Sequence, residues 1–525
     1  MTYKTARNPV IWADVPDPSV VRVGDTYYMS STTMHMNPGV PIMKSKDLAN
    51  WEIVNYVYDI LGVKDEQRLN NGKNEYGRGS WASSLRYRDG VYYVVFSSQT
   101  AGNTFIFQTR DIENGPWEKY ILPFVHDMSL LFDDDGRTFL VYGGGDIRLL
   151  ELTEDATAVK PGGLDQVIIK DSSAIAGPNI GLPAEGAHIH KIGGKYYIFL
   201  ITWPRGGMRT QLCYRADSIT GPWEGKVVLQ DAGIAQGGLV DTPDGNWYAF
   251  LFGDRGAVGR IPYLVPVKWE DGWPVLGENG KVPEDTGIAR AAEFKLVASD
   301  EFNASGDKIG AYYTELADDA AGDENKPRGS HLGLVWQWNH NPDHTKWSLT
   351  ERPGYLRLKT GGTSQSIVEA RNVLTQRTFG PECSGMVAID VSGMQEGDYA
   401  GLAAFQKNYG FVGVKASNSS KHIVMVDGSQ DTITEVEAIR VEQDRLYFRI
   451  DCDFRERKDL AYFYYSLDGK KWNKIGTPLK MSYTLPHFMG YRFALFNFAT
   501  ESAGGYVDFD YFRVVGTQSG KQGHE

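Results

Sequence analysis

The chain has 525 residues, with 54 basic and 66 acidic side chains and a net charge of −12. That acidic balance argues against charge-driven binding to nucleic acid or to an anionic membrane surface, and no apolar run reaches the ~18 residues of a membrane-spanning helix. Its 13 Trp, 29 Tyr, 23 Phe and 59 Gly fit a β-rich protein with many tight turns, and the length suggests two domains. The first residues, Met1 to Arg7, carry no signal-peptide core, so the chain reads as cytoplasmic, or as exported if a leader has been removed. Cys213, Cys383 and Cys452 are an odd number, far apart and without CxxC spacing. They support neither a disulfide framework nor a structural zinc site and read as buried thiols.

One pattern recurs five times in the first half: a polar or aromatic head residue, a short alternating strand, a Gly turn, then a Tyr- and Phe-rich strand. The copies begin at Asp17, Trp81, Asp127, Glu185 and Gln236 and turn at Gly24, Gly90, Gly136, Gly194 and Gly245. Each predicts a β-hairpin, and turn-to-turn spacings of 46 to 66 residues suit a four-stranded blade. A second motif, ending in Trp51-Glu52, Trp117-Glu118 and Trp223-Glu224, predicts the turn and edge strand that close a blade. The expected fold is therefore all-β: a five-bladed β-propeller over 1–288, set against a simple β-sandwich with coincidental hairpins.

The propeller pattern stops after Trp273. The polar run Glu278 to Gly287 reads as a connector, residues 289–298 as a linker, and 517–525 as a flexible tail. Between them, 299–516 carries short alternating strands such as 354–359, 384–390, 445–451, 461–466 and 506–512, which predict a β-sandwich of jelly-roll type.

Because the repeats are equivalent, their head residues should meet at one mouth of the central channel. Asp17, Asp127 and Glu185 would place three carboxylates there, and such crowding raises at least one pKa. Glycoside hydrolysis requires that arrangement: one carboxylate as base and one acid still protonated near neutrality. An Asp before Pro, taken singly, is more often a turn residue. Three acids at equivalent places in three repeats favour chemistry.

These residues resemble the family-43 glycoside hydrolases, five-bladed propellers that cleave pentose-containing plant polysaccharides. The second half resembles the concanavalin-like sandwich many of them carry, in the phrases 332–340 and 347–354. The resemblance implies Asp17 (in Pro16-Asp17-Pro18) as general base, Asp127 (in His126-Asp127-Met128-Ser129) as modulator of the acid, Glu185 (in Ala184-Glu185-Gly186) as general acid and Arg260 as a substrate-binding arginine. It implies inversion, with the Asp17 and Glu185 carboxyls ~6.5–9.5 Å apart. No cofactor is implied for catalysis. Gln236 stands where many members have a central histidine, so a histidine-linked calcium in the propeller does not carry over.

Trp12, Trp81 and Trp203 are candidate sugar-stacking walls, Gln236 a further substrate contact, and Met34 and His35 a candidate pocket floor; each has an ordinary packing role as its alternative. His188 and His190 share one face of a strand but lack a third ligand and read as structural. Asp300, Glu301 and Asp510 resemble positions that hold a structural calcium in some relatives; ordinary surface acids are the alternative. The expected partner is an arabinose- or xylose-containing oligo- or polysaccharide. The expected activity is removal of terminal pentose, α-L-arabinofuranose favoured and β-D-xylose also, with a non-catalytic sugar-binding protein as the reading from another class.

Overall fold

Five four-stranded antiparallel sheets follow one another through the first half of the chain in a computed structural model, which describes residues 5–289, 294–303, 332–429 and 432–516. Part of the expected linker, 290–293, and the expected tail, 517–525, lie outside the described residues. The five predicted hairpins are the first and second strands of the five blades: Ser19–Val23 with Thr26–Ser30, Ser80–Arg88 with Val91–Ser98, Ser129–Phe132 with Thr138–Tyr142, Ile180–Ile192 with Lys195–Pro204, and Ala235–Asp241 with Trp247–Asp254. Each turn has a left-handed residue at the repeated glycine, with φ from +65° to +85° at Gly24, Gly90, Gly136, Gly194 and Gly245, and in blades two and four Asp89 and Gly193 add a second. The Trp-Glu motifs lead into the outer strands Glu52–Tyr58, Glu118–Pro123 and Glu224–Leu229.

Period-two alternation explains how the blades stack. In the second strand of blade two, Val94 and Phe96 pack toward blade one with Tyr28 and Ile42, while Tyr93 and Val95 pack toward blade three with Leu130 and Leu140. Blade three repeats the division, with Phe139 and Val141 facing blade four. A middle strand buried on both faces must be apolar throughout, which is why these segments read as continuous hydrophobic runs.

The circle closes where the chain begins. Thr5–Arg7 pairs with Asp285–Ala289, so the predicted connector ends in a strand rather than in loop alone. The segment after it runs beside blade five: Val10 and Val15 donate backbone bonds to Pro262 and Arg260 (3.0 and 3.1 Å), and the Asn8 amide donates to Leu264 and Pro283. Arg22 of blade one pairs with Asp241 of blade five. This closure delivers Asp17 to the side of Arg260.

The second half is a sandwich of two eight-stranded sheets. One ends on a strand it does not own: Gln337–Asn339 pairs with Met36–Asn37 of the propeller. Around that joint the Gln337 amide donates to the Pro38 carbonyl (2.7 Å), His340 N–H to His35 carbonyl (3.0 Å) and Tyr56 hydroxyl to Leu334 carbonyl (2.7 Å). All three cysteines are free and buried, yet Cys383 and Cys452 are neighbours on adjacent strands.

Candidate active site

Asp17 sits just before the first strand of blade one with φ at +51°, a left-handed backbone that a non-glycine residue adopts at a cost. Asp127 (φ +44°) and Gln236 (φ +63°) share it at equivalent places, and at the fourth Glu185 is followed by Gly186 (φ +67°). A β-carbon at 186 would come within 2.8 Å of the Gln236 amide, so this position next to Glu185 needs glycine on both counts.

The Asp17 carboxylate is 4% exposed and accepts two bonds from Arg260 Nη1 (3.1 and 3.2 Å) and one from the Thr32 hydroxyl (2.6 Å). Burial works against the Arg260 charge, but Asp17, Tyr483 and Asp14 outweigh it and push the guanidinium pKa up. A buried carboxylate so paired has its charge compensated and its direction fixed.

Glu185 is built differently. Its side chain is 26% exposed, and Oε2 lies 2.9 Å from His126 Nε2, whose own distance to Asp127 Oδ2 is 3.7 Å. Burial would lower the His126 pKa, but the Glu185 hydrogen bond and the charges of Asp127 and Glu185 reverse this and lift it to about 9. Asp127, 8% exposed, is pushed up to about 7 by burial, with Glu185 and Asp17 adding to the rise and His126 and Arg260 opposing it. Those mutual influences bring all three acids of the repeat heads into one electrostatic neighbourhood. His126, present in the sequence motif but given no role there, is the third member of the acid group. Donor atoms of His126, Asp127 and Glu185 lie within 4.8 Å of one another, close enough for a cation.

The sandwich supplies the rest of the wall. Its loop between Ser482 and Tyr491 lays the Phe488 ring over Arg260 (4.4 Å) and packs Tyr483 beside Phe488. Asp14 clasps both domains, accepting from Arg260 N–H (2.7 Å) and Gly490 N–H (3.0 Å). Nothing local in the sequence marks Phe488; only long-range packing brings it 228 positions back to Arg260.

Among the aromatic candidates, Trp81 stands at the acid group, edge-on to His126 (5.6 Å, 81°), with its indole N–H on Gly77 carbonyl (3.1 Å). Trp203 is 42% exposed and two residues along its strand from Ile201, the register partner of Glu185, with Arg209 over its ring (4.8 Å). Trp12 instead lies against Gly380 of the sandwich, where a β-carbon would come within 2.0 Å of its ring. Met34 is buried in a backbone bridge to Ser80, and His35 joins Tyr76, His340 and His487 in an aromatic cluster between the domains. Gln236 donates its backbone N–H to the Gln211 side chain (2.6 Å) and packs on Gly186. His188 is buried and His190 half-buried, and desolvation lowers the pKa of both, with Arg86 adding to the effect. Arg86 bridges the inner strands of blades two, three and four through Leu130 carbonyl, Ser129 hydroxyl and Ile189 carbonyl (2.8 to 3.0 Å), so the channel holds a cation of the chain's own.

The three acids considered for calcium are engaged separately. Asp300 accepts from Phe302 N–H and Trp336 indole N–H, Glu301 pairs with Arg513 and Asp510 with Arg445. Each faces hydrogen-bond donors, which does not fit a shared cation site.

Residues 6–274 match the model of Glycosyl hydrolases family 43, and 328–515 match that of the Beta xylosidase C-terminal Concanavalin A-like domain. A Beta-xylosidase of Formosa agariphila is 30% identical over 96% of this chain and 89% of its own length. A Non-reducing end alpha-L-arabinofuranosidase of Bacteroides ovatus is 28% identical over 78% and 75%. Among solved structures, a bifunctional GH43-CE protein of Bacteroides eggerthii superposes with a TM-score of 0.92 at 56% identity, covering 99% of this chain; the chain spans 64% of that protein's length. Matched in its catalytic half by the family model and along nearly its whole length by such relatives, the chain belongs to family 43 of the glycoside hydrolases.

Proposed function

We propose that the protein is an exo-acting, inverting hydrolase that releases terminal pentoses, α-L-arabinofuranose or β-D-xylose, from hemicellulose-derived saccharides. The observation that supports this reading best is two carboxylates in unlike settings that both act on Asp127: Asp17 clamped by Arg260 and Thr32, and Glu185 bonded to His126. Asp17 takes a proton from water as it attacks the anomeric carbon from one face, and Glu185 gives a proton to the departing oxygen on the other. His126 bonds and orients Glu185, and Asp127, its carboxyl pushed up to about 7, stands beside them as modulator of the acid. Trp81 flanks the acid, and Phe488 with Arg260 walls the base side, which supports a pocket for a chain end. The names of the relatives, Beta-xylosidase and alpha-L-arabinofuranosidase, support a pentose.

The test follows the first product formed from xylo-oligosaccharides, arabinan and arabinoxylan by proton NMR. Single pentoses with inverted anomeric configuration are expected. Retained configuration, or oligosaccharides released from chain interiors, would overturn the reading.

A further inference from the structure

Cys383 lies in the strand Glu382–Asp390 and Cys452 in Arg445–Asp453, and the two residues oppose each other directly in the antiparallel ladder. Directly opposed residues in such a ladder have Cα atoms about 4.5 or 5.5 Å apart, according to whether the pair is hydrogen-bonded. Both values fall inside the ~4.4–6.8 Å that a disulfide spans. The side chains share a direction as well as a register: both are 3% exposed, both belong to the sandwich core, and the Cys452 thiol is hydrogen-bonded to Cys383. Cys213 is remote from them, buried in blade four with its thiol against the Tyr214 carbonyl.

The pair also stands where the sandwich grips the propeller. Phe379, whose N–H donates to Cys383 Sγ (3.4 Å), bridges to Ala13, and Gly380 N–H donates to Trp12 carbonyl (2.8 Å). Just past Cys452, Phe454 N–H donates to Pro381 carbonyl (2.9 Å) and Arg457 reaches the Asp254 carbonyl (2.8 Å). Trp12 and Ala13 lead to Asp17, and Asp254 is the register partner of Arg260.

We propose that Cys383 and Cys452 are a site of reversible disulfide formation, a cross-strand staple in the part of the sandwich seated on the catalytic propeller. The oxidant is a small-molecule disulfide such as oxidised glutathione. One cysteine thiolate attacks a glutathione sulfur, forming a mixed disulfide and releasing one glutathione thiolate. The second cysteine thiolate then displaces the other glutathione and closes the protein disulfide. The two thiols give up two protons and two electrons, and the glutathione disulfide is reduced to two molecules of glutathione. Burial shields both native sulfurs from glutathione, so exchange runs mainly while the strands are open.

The full-length chain is refolded from denaturant in parallel in reduced glutathione and in a mixture of reduced and oxidised glutathione. The native chain is also held in the oxidised mixture at mildly alkaline pH. Thiols are then counted under denaturing conditions after an acid quench. Three thiols are expected from the reduced sample and one from the oxidised samples. Peptide mapping should show a Cys383–Cys452 link, and dithiothreitol should restore all three. Cys213→Ser should fall from two thiols to none, while Cys383→Ser should keep both. The oxidised chain should melt about 5 °C or more above the reduced one, because the staple closes a long loop. Three thiols surviving in every oxidised sample, or a link through Cys213 or between two chains, would overturn the proposal.

Discussion

Asp17 is almost wholly buried, salt-bridged to Arg260 and fixed from both domains through Asp14 and Phe488, whereas Glu185 is a quarter exposed and, among the described residues, bonded within the propeller to His126, whose pKa is lifted to about 9. A base that must aim a water molecule gains from rigidity and from a partner that fixes its charge. An acid that must lose and regain a proton each turnover gains from contact with solvent and with groups that titrate near neutrality. The same pocket thus separates stiffness from proton mobility, and the separation follows the domain boundary: the sandwich reinforces the base side.

Substitutions can break that comparison, and the largest effect is expected at the base. Asp17→Asn should lower kcat/KM by about 10⁴-fold on aryl glycosides and oligosaccharides alike, since water activation is needed whatever group departs. Parity between the two substrate classes is the readout. Glu185→Gln should cost about 10²- to 10⁴-fold on oligosaccharides but much less on nitrophenyl glycosides, whose leaving group needs little help; equal losses on both would remove Glu185 from the acid role.

His126 sharpens the comparison through pH. Its charge lowers the Asp127 pKa, so His126→Gln should push that carboxyl further above about 7 and move the alkaline limb of the kcat profile upward, with about a tenfold loss in rate. A loss without movement of the limb would make His126 a packing residue. Phe488→Ala should cost about tenfold in kcat/KM, from removal of a ring over a buried guanidinium. No change would detach the sandwich from the pocket.

The smallest effect concerns the seam. Burial holds His35, His340 and His487 well below 6.5, with His487 at about 3. All three are neutral in the fold but protonate when the chain opens, so stability is lost as pH falls below about 6.5 toward 3. Glu75, pushed up to about 7 by burial, acts in the opposite sense, costing stability as pH rises from 4.5 to 7. His188 and His190 act with the other three histidines, and Asp127 and Asp398 with Glu75, so the histidines outnumber the acids and predict a melting temperature that drops between pH 6.5 and 4.5. Replacing His487 by Phe should flatten that drop.

The repeat was legible because a blade is a local object: head residue, strand, glycine turn and strand lie within a few tens of residues, and their periodicity is written in the chain. Asp17, Asp127, Glu185 and Trp81 stand out in the sequence for the same reason, as equivalent heads of equivalent strands. Trp12 and His35 look like pocket residues in sequence but serve the domain seam, because only tertiary packing decides which side of a loop faces sugar and which faces the sandwich. Phe488, Tyr483 and Asp14 escaped notice because their partners lie hundreds of positions away. The Cys383–Cys452 neighbourhood escaped likewise, since register across a sheet is set by strands whose pairing no spacing rule reveals.

The two-residue strand Met36–Asn37, loaned by the propeller to the edge of the sandwich sheet, has a bearing on protein engineering. Shuffling catalytic and accessory modules between homologues assumes that each can be cut out whole. Here a graft would leave one module with an unsatisfied β edge and the other with an incomplete sheet. A working chimera must transplant the 33–40 hairpin bend together with the loop bearing Phe488, treating the two as one inherited unit.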